Sequence, residues 1–377
     1  MIIKVAIITN YAPHYRLPLW SSLSKNKSID YCFFSSSLEK NGIKPISDYE
    51  FDQNNIQFKN LKNINFQCVE IWQVGVLKVA WKREYTHFIF LGNMYCLSTW
   101  FAAIVLRVSG KKVIFWGHGL YGNELWSKKK IRILFYKLAN YHLLYNNRAK
   151  ELLIQEKFDA NSLYVVYNSL DYELQRKIFN TLNKRYLDER KQEIFGNSNK
   201  TIIFIGRITK EKKLDLLIDS LNILKSKGSN FNLLIVGDGS EINHIKMACT
   251  KNGLENVKFW GPCYNEYIIG ELIGLADLTV SPGNVGLTAI HSLTYGTPII
   301  THNDFKNQGP EVEIIEEDIT GAFFKKNNYN SLAEEIIKWF EKHPSTEKNR
   351  ASCRKNIDKY YNPQYQSSVF NDLILGL

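Results

Sequence analysis

What the 377-residue chain lacks already narrows its function. Its six cysteines, at 32, 68, 96, 249, 263 and 353, include no CxxC pair. That scatter argues against a zinc knuckle or a disulfide scaffold and points to a reducing compartment. No apolar run approaches the roughly 20 residues of a membrane-spanning helix. The longest, Trp100 to Leu106, stops at Arg107. The opening MIIKVAIITNY carries no cleavage signature, so a cytosolic protein is expected. No Asp-x-Asp motif or His/carboxylate cluster with metal-ligand spacing stands at a strand end. A reaction without metal or cofactor is the expectation. The aromatics lack RNP-type or arginine-rich patterns, which disfavours a nucleic-acid partner.

Positive charge is also missing from one half. Residues 201–377 carry 19 Lys+Arg against 21 Asp+Glu, whereas residues 1–200 carry 29 against 16. Within 101–150 the ratio is ten to one, including Lys128, Lys129, Lys130 and Arg132. Trp116, Tyr121, Trp126, Phe135, Tyr136 and Tyr141 are interleaved with these cations. Such a half suits an anionic membrane surface or a phosphate-bearing partner; the alternative is a solvated basic helix with its aromatics in the core. The length predicts two domains, and the apolar and charged fractions, 45% and 23%, are those of a globular protein.

Buried strand-like runs alternate with helical ones in both halves, as in an α/β fold of parallel strands. Ile2 to Thr9 reads as a central strand, followed by the loop NYAPHYRLP. Loops at the C-terminal ends of parallel strands are where open α/β sheets take ligands. His14, Tyr15 and Arg16 are therefore site candidates, with simple loop packing as the alternative. Trp72 to Trp81 reads as a helix and Thr86 to Leu91 as a strand, ending at Gly92-Asn93. Lys112 to Trp116 runs into Gly117-His118-Gly119, where flanking glycines free the backbone around His118 to approach a ligand. Residues 172–200 are charged, helical in tendency and without a clean apolar face, and the domain linker is expected there.

The alternation restarts at Thr201 to Ile205. Gly206-Arg207 and Lys212 then place two cations at a helix start, the equipment for a diphosphate. A second strand ends at Gly237. A third ends at Ser281-Pro282 and passes through Gly283-Asn284-Val285-Gly286-Leu287 into a helix that Gly296 closes. A strand, a glycine turn and a helix N-terminus together make an anion site.

These residues resemble a known family. GRITKEKKLDLLIDSL, LLIVGDGSE, VKFWGPC, LADLTVSPGNVGL, YGTPII and EIIEEDITGAFF stand in the order and spacing of the C-terminal domain of glycosyltransferase family 4. NYAPHYRLPLW, FWGHG and VVYNSLD are similar to its N-terminal half more loosely. The resemblance implies a GT-B architecture: two Rossmann-like, doubly wound α/β domains facing an interdomain cleft. It would divide the chain into a basic, membrane-facing acceptor domain (1–180), a linker (181–200), a nucleotide-sugar domain (201–355) and a segment crossing back to the first domain (356–377).

The activity implied is retaining transfer of a sugar from a nucleotide-diphosphate donor. Arg207 and Lys212 would hold the diphosphate and His118 would sit near the transferred sugar. Gly206, Gly237, Gly283, Asn284, Val285, Gly286, Leu287 and His291 would form the donor side. His14, Tyr15, Arg16 and Asn93 would form the acceptor side. The leaving phosphate would serve as base.

One departure stands out. Two glutamates in the family's EGFGLxxxEAxxxG pattern are replaced here by Gly283 and His291. This suggests an unusual donor, such as a 6-deoxy sugar or a deoxyribonucleotide-linked sugar, or a degenerate site. The expected acceptor is a lipid-linked glycan of bacterial surface polysaccharide, such as lipopolysaccharide, met by a peripheral protein on the inner face of the membrane. An inverting transferase, an epimerase and a non-catalytic binding protein remain as alternatives.

Overall fold

The computed structural model describes residues 2–38, 44–66, 69–345 and 347–376. Cys68 lies outside them, and the five described cysteines are free thiols. The chain forms two units: residues 1–171 with 360–377, and residues 172–359.

The first unit is built on a seven-stranded, wholly parallel sheet. Its strand order is Gln57–Asn60, Ile29–Ser36, Ile3–Tyr11, His87–Leu91, Lys112–Gly117, Tyr141–Leu144, Leu163–Val165. Ile3–Tyr11 is central because Val5 to Ile8 are apolar on both sides and buried on both. The order reverses between Ile3–Tyr11 and His87–Leu91, so their C-terminal loops diverge and leave a crevice. The second unit repeats the plan with six parallel strands, ordered Val257–Gly261, Asn232–Val236, Thr201–Ile205, Leu278–Ser281, Ile299–His302, Gly321–Phe324. Its reversal falls between Thr201–Ile205 and Leu278–Ser281. Both are doubly wound, Rossmann-like units.

Three expectations need correction. The stretch 72–81 is not one helix. Val69–Val74 is a strand paired antiparallel with Lys62–Phe66, and only Val76–Ala80 is helical. Gly75, at φ +93, separates them with a left-handed turn that an α-helix cannot pass through.

Second, 181–200 is not a linker. Tyr172–Thr181 and Lys184–Phe195 are helices of the second unit. Ile178 and Leu187, with Leu174, Phe179, Leu182, Ile194 and Phe195, pack on Ile269, Leu272 and Ile273. The apolar face exists but changes direction at Asn183, whose side chain caps the second helix through Tyr186 N at 2.9 Å.

Third, the return to the first unit falls at Tyr360. Helix Pro363–Leu375 buries Phe370, Leu373 and Ile374 in the core containing Trp20 and Trp116. Ser367 and Asn371 add hydrogen bonds to Ser22 and Tyr31 at 2.9 Å.

Candidate functional site

In the first unit, the loops at the sheet reversal enclose a pocket of about 370 Å³. Asn10, Tyr15, Arg16, Asn93, Tyr95, His118, Tyr121, Arg132 and Tyr145 are among the residues that line it. Tyr15, Arg16 and Asn93 thus meet His118, as their positions after parallel strands predicted. His14 does not join them. Its Nε2 lies 2.9 Å from Glu50 Oε1, and Glu50 completes a capping box with Ser47.

His118 stands edge-on to Tyr145, with ring centroids 4.9 Å apart, and stacks on Tyr121 at 5.7 Å. Its ring is open to the pocket, but crowding by the walls and the cations of Arg16 and Arg132 push its pKa down to about 4. At neutral pH it is an uncharged hydrogen-bonding imidazole. The loop that carries it is stapled from below. Arg132 Nη1 donates to Gly119 O at 3.3 Å and to Glu124 Oε1 at 3.2 Å. Glu124 in turn accepts from the N–H groups of Tyr121 and Gly122 at 2.8 and 2.9 Å.

Arg16 is held differently. Its guanidinium lies 4.4 Å from the Trp116 ring centroid, and Nη2 donates to the Tyr145 hydroxyl at 3.1 Å. Nη1 is buried with no hydrogen-bond partner among the described residues. Burial opposes its charge, but Tyr145 and Tyr15 more than offset this, and the pKa is raised.

In the second unit, the loops after the central strands close on one another. Gly206 and Gly237 touch so tightly that a Cβ on Gly237 would lie 1.9 Å from Gly206 O. Arg207 is exposed and makes no salt bridge among the described residues, although its charge helps hold the Glu211 carboxyl below the usual range. Lys212 is half-buried and donates to Asn284 O, tying the first loop to the 283–287 loop. Burial and the neighbouring Arg207 pull the Lys212 pKa below the usual lysine range, against the opposing pull of Glu311. Arg207 and Lys212 therefore share one locus, as their spacing implied.

The 283–287 loop departs from expectation in detail. The helix begins only at Thr288 and has seven residues, so it does not start directly after Gly283. Val285 is wholly buried and its N–H is spent on Gln308 Oε1 at 2.9 Å. It is an anchor of the loop, not a ligand contact. The N–H groups of Gly286, Leu287 and Thr288 have no partner among the described residues.

The two missing carboxylates also find an explanation. A Cβ on Gly283 would lie 2.1 Å from Glu211 O and 2.8 Å from Lys212 Cα, so the space for a side chain is filled by backbone. His291 does point to a carboxylate. Its Nε2 is 2.8 Å from Glu266 Oε1, which also accepts from Tyr295 at 2.7 Å and Gln175 at 2.9 Å. These partners outweigh burial and hold the Glu266 pKa below the usual range. A second carboxylate, Glu311, is buried beside the 283–287 loop. Its Oε2 and Gly286 Cα lie 2.7 and 3.1 Å from the place a Cβ on Gly309 would take. Glu266 lies 20 residues before Gly286 and Glu311 25 residues after it, so both reach this region from distant segments and no local motif announces them.

Residues 187–360 match the model of a family described as glycosyl transferases group 1. An uncharacterized glycosyltransferase of Methanocaldococcus jannaschii is 26% identical over 179 residues, 46% of this chain and 46% of that one. The chain spans about half the length of the curated relatives it matches, 46%, 35% and 61% for three of them. Among solved structures, Anabaena HepE in complex with UDP has a TM-score of 0.74 at 16% identity, covering 100% of both chains. The lipopolysaccharide outer core galactosyltransferase WaaB has a TM-score of 0.70 at 14% identity, covering 99% of both. At these identities the likeness establishes the fold.

Proposed function

We propose that this chain, whose residues 187–360 match the model of the group 1 glycosyl transferases and whose two units resemble GT-B structures, transfers a sugar from a nucleoside-diphosphate donor to a glycan. The observation that carries the reading is the convergence of Arg207, Lys212 and the open N–H groups of 286–288 at the strand reversal of the second unit. Two cations without a metal suit a diphosphate leaving group, since they neutralise the charge that builds as the sugar departs. UDP, present in the complex of the structurally similar HepE, is the first donor nucleotide to test.

In this reading transfer is retaining and metal-independent. The bond from the sugar C1 to the β-phosphate oxygen breaks, and the acceptor oxygen bonds to C1 on the same face. The acceptor proton passes to the leaving phosphate. Neutral His118 offers a hydrogen bond to a sugar hydroxyl in the pocket of the first unit, and within the second unit Glu311 and the His291–Glu266 pair are the carboxylate-bearing candidates for the donor hydroxyls that the replaced glutamates do not serve.

We assign the acceptor to the pocket of the first unit, and the protein to a membrane surface where a lipid-linked glycan is presented. No helix among the described residues is long and apolar enough to cross a membrane. Helix Leu97–Val108, however, exposes Leu97, Phe101, Ile104 and Val108 at helical spacing. The adjoining helix Trp126–Tyr136, in contact through Trp100 and Phe135, exposes Trp126, Ile131 and Leu134 beside Lys128 and Lys130. Apolar residues flanked by cations suit the headgroup region of an anionic bilayer. Lys129 is not part of this surface charge, being paired with Glu156.

The reading is tested by thermal shift with UDP, GDP, dTDP, ADP and CMP on the wild type and Arg207→Ala. One nucleotide should stabilise the wild type, by about 2.7 kcal/mol at a hundredfold excess over Kd. The variant should bind it about 10- to 100-fold more weakly. No stabilisation by any nucleotide would remove the basis for the reading.

A further inference from the structure

We propose that the acceptor carries an oxyanion, a carboxylate or a phosphate, close to the hydroxyl that receives the sugar, and that Arg16 recognises it. This rests on the reading above, that the chain is a glycosyltransferase with its acceptor in the first unit.

The charges that line the 370 Å³ pocket are of one sign. Among its described lining residues there are two arginines, Arg16 and Arg132, and no aspartate or glutamate. The two arginines differ in how their charge is met. Arg132 has Glu124, and that carboxylate is further fixed by two backbone N–H groups, so the pair is a finished structural staple. Arg16 meets no carboxylate there: its polar contacts are with the neutral hydroxyls of Tyr145 and Tyr15, and its guanidinium lies over the rings of Trp116 and Tyr15. Its Nη1 has no partner at all among the described residues.

A guanidinium taken out of water without a counter-ion is costly, and cation–π stacking recovers a minor part of that cost. Were Arg16 only a prop for Tyr145 and Trp116, a neutral side chain could stack there without the penalty. The geometry instead resembles a waiting half of an ion pair. The guanidinium is pre-oriented by stacking on Trp116, and one nitrogen is fixed while the other is left over. An oxyanion is the ligand that a planar, pre-oriented fork matches best.

The surroundings limit what carries the anion. The donor diphosphate has its own cations, Arg207 and Lys212, in the other unit. The walls around Arg16 are tyrosines; Tyr121 is taken up by His118 and Arg132, but Tyr95 is exposed, and such a ring suits the C–H surface of a sugar. The volume lies in the range of small-molecule sites. An acidic sugar, or a sugar bearing a phosphate, satisfies both demands at once.

The experiment titrates the full chain with methyl glucuronide, glucose 6-phosphate and methyl glucoside, followed by ligand-observed NMR, with UDP titrated in parallel. Wild type, Arg16→Gln and Arg16→Lys are compared. One anionic sugar should bind at least tenfold more tightly than the neutral glycoside, and which one does so separates carboxylate from phosphate. Arg16→Gln should erase that preference, Arg16→Lys should keep part of it, and the Kd for UDP should stay within twofold in both. Equal binding of neutral and anionic sugars overturns the proposal, as does a preference that survives Arg16→Gln. Absence of all sugar binding while UDP binds overturns it too. If Arg16→Gln weakens UDP as much as the anionic sugar, Arg16 serves the donor and the proposal is wrong. Failure of UDP and every other nucleotide to bind the wild type is the separate failure of the parent reading.

Discussion

Position 283 shows why a motif can be broken without the site being broken. The family pattern has a glutamate there, but the backbone of 211–212 occupies the space where its Cβ would sit. Restoring the motif with Gly283→Glu should therefore harm the protein. Overpacking of this kind costs about 1–3 kcal/mol, and the displaced Lys212 should lose the nucleotide. A lower Tm and no nucleotide-induced shift are the expected readings; enhanced activity would show the loop to be looser than described. Sequence reasoning located Arg207 and Lys212 because five residues span one turn and a helix start. It missed Glu266, Glu311 and the Arg132–Glu124 staple because each partner arrives from a distant segment, and pairing in space leaves no local pattern. A second residue-scale expectation concerns acid. His142 is buried among Phe115, Tyr136 and Phe158, and burial pushes its pKa from 6.5 to about 4. Between those values the unfolded chain holds a proton that the folded chain lacks. Stability is thus complete above pH 6.5 and falls as pH drops towards 4, by up to about 1.4 kcal/mol per pH unit. Urea unfolding at a series of pH values should show this slope, and His142→Phe should flatten it by close to one proton.

At the scale of elements, the helices Tyr172–Thr181 and Lys184–Phe195 make the clearest contrast between pattern and packing. Their charges read as a linker, since Lys184, Arg185, Arg190 and Lys191 crowd the few apolar residues. The apolar residues nevertheless converge, because the turn at Asn183 rotates the second helix so that Leu187 returns to the core of the first. Ion pairs then spread the charge outward: Arg190 with Glu271 at 2.8 Å, and Lys191 with Asp277 at 2.7 Å. A true linker rich in Lys and Arg would be the first site of tryptic cleavage. Here limited trypsin should leave 172–195 intact until the second unit unfolds, and mass spectrometry of early fragments reads this directly. Leu187→Ala should cost about 2–4 kcal/mol and expose the segment; early cleavage in the wild type would restore the linker reading. By contrast, the strand, glycine turn and helix of 201–226 were readable because each has its own period and its own stop.

At the scale of the molecule, the chain leaves the first unit at 171, builds the second, and returns at 360. The return is a structural commitment of the first unit, since Phe370 is wholly buried and meets Trp116 edge-on at 5.2 Å. The same Trp116 carries the guanidinium of Arg16, so the last helix supports the pocket from behind. Sequence could suggest that the tail crosses back, through family resemblance, but not which core it completes. Phe370→Asp places an unpaired carboxylate between Trp116 and its neighbours, a change expected to cost several kcal/mol. Six of the eight tryptophans, at 20, 72, 81, 100, 116 and 126, lie in the first unit. Fluorescence therefore reports mainly on that unit, whereas nucleotide-induced stabilisation reports on the second. Phe370→Asp should lower the fluorescence melting temperature by several degrees and loosen the pocket around Arg16. A calorimetric transition that still rises with nucleotide should remain. If both signals collapse together at one temperature, the two units melt as a single cooperative body, and the last helix is a support for the whole chain and not for the acceptor pocket alone.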